Sequence, residues 1–448
     1  MSRSAPRRPR GRPGGLLAFL LLGTAMAVPT LLGLLSVELT ADLGLDDARL
    51  GLVVSAFWAV TAVAAPLAGR WVDGRGWPVG AWWGALITAA SLLLCVLLVN
   101  SLPALLVVVA LSGLGYAFAS PTSNILVMAE VPPGRQASVL GLKQTAPPLL
   151  MTVAGAVLPA LAHLHGWRPA MAVGLVLPLA VAVGVLLARP VGAQRLPDGA
   201  RAGSPPGTAR GCDATPDVDA APVAEAATVG TAPTLRVLPV VVAAGLGTFA
   251  VATLTGFAVL SLVSAGLRPV QAAGIVSGGS LVAVLVRVAS GWWLDRRPLE
   301  DLAPVLGVMG AAVVALGLVA VGTLGLDSAG GAVPDGTLWQ ALVVVGVLLS
   351  LVAAWTWPAL LLVTLVRRSA GPGAASGLLQ IGSGVGSAIG PVGFGLLSAA
   401  GGRGWAWVLM AVATGAAMLL VRAAGRPPRE DSQQMEPHAR RVTDLLTK

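Results

Sequence analysis

Gly69-Arg70-Trp71-Val72-Asp73-Gly74-Arg75-Gly76 closes the second in a series of long apolar runs, and Gly291-Trp292-Trp293-Leu294-Asp295-Arg296-Arg297 closes the eighth. Each stretch sets a carboxylate four residues after a glycine and brings arginine in behind it. A charged cluster met twice, at the same place in a series, marks a duplicated chain. Further matches extend the repeat. Leu22-Gly23-Thr24 returns as Leu246-Gly247-Thr248, and Pro121 as Pro358. Gly141-Leu142-Lys143-Gln144 returns as Gly377-Leu378-Leu379-Gln380, and Gly166-Trp167 as Gly404-Trp405. The matches keep their order along the chain, at offsets of 222 to 238 residues.

Twelve apolar runs carry these matches, at about 15–37, 49–70, 78–99, 102–127, 137–162, 168–188, 237–263, 270–293, 300–323, 338–365, 373–399 and 404–424. Each reaches the ~20 residues that a helix needs to cross hydrocarbon. Composition agrees. The 448 residues are 56% hydrophobic and 11% charged, where a soluble domain carries roughly a quarter charged residues. A soluble enzyme, a disordered chain and a disulfide-stapled module are excluded. A β-barrel is excluded too, since it needs alternating segments of ~10 residues. Glycine and proline inside the runs fit membrane helices, where neighbouring helices re-satisfy the backbone. The basic stretch before the first run resembles the start of a signal peptide. The run is long and lacks a small-residue cleavage site, so it reads as the first membrane helix.

The net charge is +9, and the cations are scattered between runs. That pattern speaks for membrane orientation rather than for a nucleic-acid partner. With the N-terminus in the cytoplasm, 23 of the 29 Lys and Arg fall on the cytoplasmic side and four, Arg49, Arg168, Arg268 and Arg403, fall outside. The remaining two, Lys143 and Arg287, lie inside runs. The expectation is a multi-pass protein of a bacterial inner (plasma) membrane with both termini cytoplasmic. Residues 1–13 form a tail, 14–189 a first six-helix bundle, 190–235 a flexible linker with seven prolines, 236–425 a second bundle and 426–448 a second tail. Cys95 and Cys212 offer neither a disulfide nor metal-site spacing. No metal and no cofactor are expected.

The glycine–aspartate stretches are where the chain resembles the major facilitator superfamily, whose pattern there is Gly-x-x-x-Asp-Arg-x-Gly-Arg. Gly69, Asp73 and Gly76 fit it; the family's arginine after the aspartate is Gly74 here, with Arg75 one place later. The second copy keeps Gly291, Asp295 and Arg296 but lacks the following glycine. The resemblance covers the chain apart from its tails and linker. It implies an all-α membrane protein, with twelve transmembrane helices in two pseudo-symmetric six-helix bundles. It further implies that these residues gate the cytoplasmic side when the substrate path opens outward. Asp73 would approach the start of the eleventh span at Gly371 to Ala375, and Asp295 would approach Ala137 and Ser138. Without the resemblance, Asp73 is a solvated acid or one stabilised by a helix N-terminus.

Charges inside membrane spans are costly and usually face an aqueous interior or a partner. Lys143 is the only lysine apart from Lys448 and lies about 9 Å into its span at 1.5 Å per residue. Arg287 lies eight residues before Asp295. The superfamily sets spans 5 and 8 side by side across the two halves, so both cations can converge on one site. Arg287, with Gly291 four residues on, resembles the span-8 arginine of monocarboxylate and oxalate transporters. Lys143-Gln144-Thr145 resembles little-characterised bacterial members, some of them linked to cyanate-like anions. Two structural readings stay open. Lys143 can run its stem to the interface, and Arg287 can pair with Asp295 or a backbone carbonyl. Asn124, Gln144, Gln380, Trp355 and Trp357 complete the substrate-binding candidates, with Ser120 and Thr122 beside Asn124. Trp77, Trp167, Trp339 and Trp405 read as interfacial belts.

The sequence therefore reads as a secondary transporter working by alternating access. Its partners are the lipid bilayer, a small-molecule substrate and, as an open option, a proton; it is expected to be monomeric. No deep carboxylate of the kind a cationic-drug exporter needs is evident, so a small organic anion leads as substrate. A proton-coupled drug or metabolite exporter is the alternative, and a non-transporting membrane sensor the alternative of another class. No nucleophile, phosphate loop or metal cluster supports an enzyme.

Overall fold

The computed structural model describes residues 14–188, 237–294, 302–328, 338–368 and 372–425. Cys212, Asp295, Arg296 and the expected tails and linker lie outside the described residues. The first half comprises α1 (Gly14–Leu34), α2 (Ser36–Leu43), α3 (Asp47–Arg75), α4 (Trp77–Leu98), α5 (Leu102–Glu130), α6 (Pro133–Lys143), α7 (Ala146–His165), α8 (Trp167–Ala172) and α9 (Val176–Leu187). The second half comprises α10 (Val237–Ser264), α11 (Pro269–Leu294), α12 (Ala303–Ser328), α13 (Leu338–Arg368), α14 (Pro372–Gly401) and α15 (Arg403–Ala424). Twelve crossings are long and apolar enough to span a membrane, α6 joining α7 and α8 joining α9. An even number of crossings brings residues 14 and 425 to one face, called here the near face.

Helices outrun the apolar segments because an apolar run marks only the part in hydrocarbon. The clearest correction is at the motif. The stretch from Arg70 to Arg75, at and beyond the end of the second apolar run, is the last turn and a half of α3. Nothing there interrupts the i→i−4 ladder until Gly76, whose φ of 88° and N–H to the Val72 carbonyl (2.7 Å) end the helix. The other end of α3 starts on Asp46, whose side chain accepts from the Arg49 N–H at 2.8 Å and satisfies a donor that the helix leaves unpaired. α5, α12, α13 and α14 likewise extend to Glu130, Ser328, Arg368 and Gly401.

Span 5 is the exception in the other direction. It breaks between Lys143 and Ala146, because Pro147 and Pro148 have no N–H for the carbonyls of Lys143 and Gln144. The tryptophan belt is only half present: Trp339 and Trp405 are exposed, while Trp77 and Trp167 are buried against the protein. The Trp167 indole donates to Asp42 at 2.9 Å, so it is a tether inside the first half. The final repeat match also shifts. The glycine in Gly166's role, with φ 84° before a helix, is Gly402 at φ 92°. Gly404 is instead the second residue of α15, its Cα against Leu324.

The two halves meet along α1–α10, α3–α14 and α7–α11. Glycines allow backbone to approach backbone there. A Cβ added to Gly33 would lie 1.7 Å from the Thr255 carbonyl, and one on Gly51 2.3 Å from the Pro391 carbonyl. All four positions belong to the half of the molecule farther from residues 14 and 425.

Candidate functional site

Three faces of α5 are covered by its own half. Phe118 stacks edge-on against Trp71 of α3 at 5.6 Å. Ala119 and Thr122 sit against Gly84 and Gly80 of α4. Glu130 meets Gly14 of α1. What is left is the stripe through Ser120 and Asn124, four residues apart and so on one side of the helix. Ser120 is half-buried and Asn124 exposed, although the latter lies within a span.

Lys143 reaches this stripe from the end of α6. Its side chain is 2% exposed. Its ammonium donates to Ser123 Oγ at 2.9 Å and to Asn124 Oδ1. The stem therefore does not run to the interface. Ser123, which the sequence reading passed over, is a direct partner. The signal for it was its place beside Asn124, one turn from Ser120.

Arg287 is half-buried on α11. Among the described residues its guanidinium has no hydrogen-bond or ion-pair partner. Its level can be fixed from the contact between the halves, where Ser277 Oγ donates to the Thr152 carbonyl at 2.5 Å. Arg287 lies ten residues past Ser277 and Lys143 nine before Thr152, on antiparallel helices. Both displacements are toward the near face, about 15 and 14 Å at helical rise. The two cations thus share a level on facing helices.

Of the remaining candidates, Gln380 is exposed, Gln144 and Trp355 are half-buried, and Trp357 is 1% exposed with its ring over Gly247, in the core of the second half. Asp73 is exposed on the near face, and Arg75 lies 4.3 Å over the Trp71 ring. Gly69 has room for a side chain; Gly76 alone in the motif is required by its φ. Gly291 lies one turn after Arg287 within α11, which ends at Leu294.

The far side holds a cluster that the sequence reading missed. Asp47, the first residue of α3, takes two bonds of 2.7 Å from Arg403, the first residue of α15, and one of 2.5 Å from Ser398 of α14. Arg403 also donates to the Leu260 carbonyl of α10. Close by, Ser55 Oγ accepts from the Val392 N–H at 2.9 Å. The bonds of Asp47 and of Ser55 join the two halves. Scarcity was the available signal, because acids and cations at the outer ends of spans are few.

The family model described as Major Facilitator Superfamily matches residues 16–334. No curated protein matches the sequence. Among solved structures, the fold is similar to a D-xylose-proton symporter (TM-score 0.68, 14% identity, covering 92% of this chain and 98% of that one). It is also similar to the nucleoside transporter NupG (0.63, 14%, 92% and 100%). A third likeness is to a bacterial homologue of the lysosomal transporter Spinster in an inward-facing, unoccupied conformation (0.60, 15%, 95% and 98%). Twelve crossings in two matching halves, the paired glycine–aspartate stretches and the family model agree: the chain is a transporter that belongs to the Major Facilitator Superfamily.

Proposed function

We propose that the protein carries a small organic anion across the membrane by alternating access, with Arg287 meeting the substrate's carboxylate and Lys143 supplying a second positive charge. One observation carries this reading. Lys143 and Arg287 lie inside spans, and among the described residues neither has an acidic partner. Charge in that setting calls for a counter-charge, and a transported anion supplies one. Arginine suits the direct contact because its fork matches a carboxylate at two points, which an ammonium cannot do. The seam on the far side, together with the exposed Asn124 and Gln380 on the near side, supports an inward-facing state, and the cation bias puts that face in the cytoplasm.

The test is uptake of labelled lactate, oxalate and benzoate into proteoliposomes, with and without a pH gradient. Uptake of at least one is expected, together with a loss of ten-fold or more in Arg287→Lys despite the retained charge. Failure of all three to enter, or normal uptake in Arg287→Lys, removes the anion site from this position and turns the reading toward the exporter.

A further inference from the structure

The Lys143 ammonium can only donate hydrogen bonds. It therefore faces the oxygen of the Asn124 amide and never its nitrogen, which fixes which way the amide is turned. The two N–H groups of Nδ2 are left on the opposite side. That side is the open one: Asn124 is exposed, while Lys143 behind it is 2% exposed. The three remaining faces of α5 are taken by α3, α4 and α1, so the amide lies on the open face of the helix.

We infer that Asn124 reads the substrate, presenting two N–H donors whose direction Lys143 enforces from behind. A solute group that only accepts hydrogen bonds fits this arrangement, a carboxylate first, and a group that only donates is refused. The inference rests on the anion reading above and refines it. Asn124 touches the substrate, Lys143 is a positioning residue that also contributes charge, and Arg287 supplies the fork from the other half. Discrimination of this kind is steep, because a buried donor left without an acceptor costs more than the bond it would make is worth.

Two measurements test it, each on the full chain with Cys212→Ser as background. The first is independent of any substrate. Asn124→Cys should be labelled by an impermeant maleimide applied to the near face, and Lys143→Cys should not. The reverse pattern overturns the inference, since Lys143 would then be the presented group. The second uses Asn124→Asp, which keeps the oxygen toward Lys143 and replaces the presented donors by an acceptor. Whichever of lactate, oxalate or benzoate the wild type carries should enter at least ten-fold more slowly, with an unchanged or higher thermal midpoint because the contact to Lys143 becomes an ion pair. Wild-type uptake by Asn124→Asp sinks the donor role and leaves the anion reading standing. Where the wild type carries none of the three, the anion reading falls. The same variant is then compared for uridine and xylose, which also offer acceptors; equal uptake by both proteins sinks the donor role as well.

Discussion

A few side chains set the balance between conformations. The pair of Asp47 and Arg403 is 16% and 24% exposed and bonded at two points. A charged hydrogen-bonded contact of this kind contributes about 2 kcal/mol, and 1.4 kcal/mol is about ten-fold in a population. Asp47→Asn should therefore shift the resting state by roughly 30-fold toward one open on the far side. The measurement is labelling of Ser55→Cys from that side, which should rise, and the exchange Asp47→Arg with Arg403→Asp should restore protection. Unaltered labelling in Asp47→Asn would show that the pair holds nothing shut. Glu38 of α2, outside the spans, behaves differently. Burial raises its pKa above the ordinary 4.5, against smaller lowering effects of the backbone and of His163, and among the described residues its Oε2 has no partner. The native state then keeps a proton that the unfolded chain loses, so this contribution to stability is full below 4.5 and fades as the pH rises through the raised native value. Glu38→Gln should flatten the fall of the thermal midpoint between pH 4 and pH 8. An identical pH profile in both proteins would contradict it. None of the partners of Asp47 could be read in the sequence: Arg403 and Ser398 are more than 350 residues away, and only the fold brings them to the same seam.

Among the elements, span 5 is the one that departs from its own apolar pattern. Periodicity announced a single helix over 137–162, and the prolines at 147 and 148 were visible in that run. Their effect depended on where the chain could accept a break, which is set by Lys143 being tied to α5. Gln136 adds to this tie, donating to the carbonyls of Met128 and Val131. α6 is therefore tied to the end of α5, while α7 packs against α11 across the halves. Replacing both prolines by alanine returns two N–H donors that can bond the carbonyls of Lys143 and Gln144 and so join α6 to α7 in one helix. The double variant should match or exceed the wild type in thermal midpoint yet take up substrate at least five-fold more slowly, because the joint is stiffened. Unchanged uptake would mean that the break is passive. Elsewhere the number and order of helices were legible from runs of apolar residues, while their ends were not. Polar residues such as Asp73 and Arg75 continue a helix into the headgroup region as readily as apolar ones.

At the scale of the molecule, the duplicated stretches make the two halves readable in the sequence, because one motif with a charge in a charge-poor chain is hard to miss. The seam between the halves was not readable, since it is built of glycines meeting carbonyls, as at Gly33 and Thr255, and glycine is common throughout this chain. Orientation comes from the cation bias and gives a plain test. Cys212 should react with an impermeant maleimide only in inverted vesicles, and Cys95, fully buried, only after unfolding; labelling of Cys212 in intact cells would invert the assignment. The position of the seam has an electrical consequence. A transmembrane voltage falls across whatever insulates, and in the inward-facing state proposed above water would stand in for lipid on the near side up to the level of Asn124. The field is then steepest in the thin layer from Arg403 to Gly33, where each 100 mV acts on a unit charge with about 2.3 kcal/mol. On that reading an anion beside Arg287 would already sit at the near-side potential, so voltage would act on the parting of the far seam.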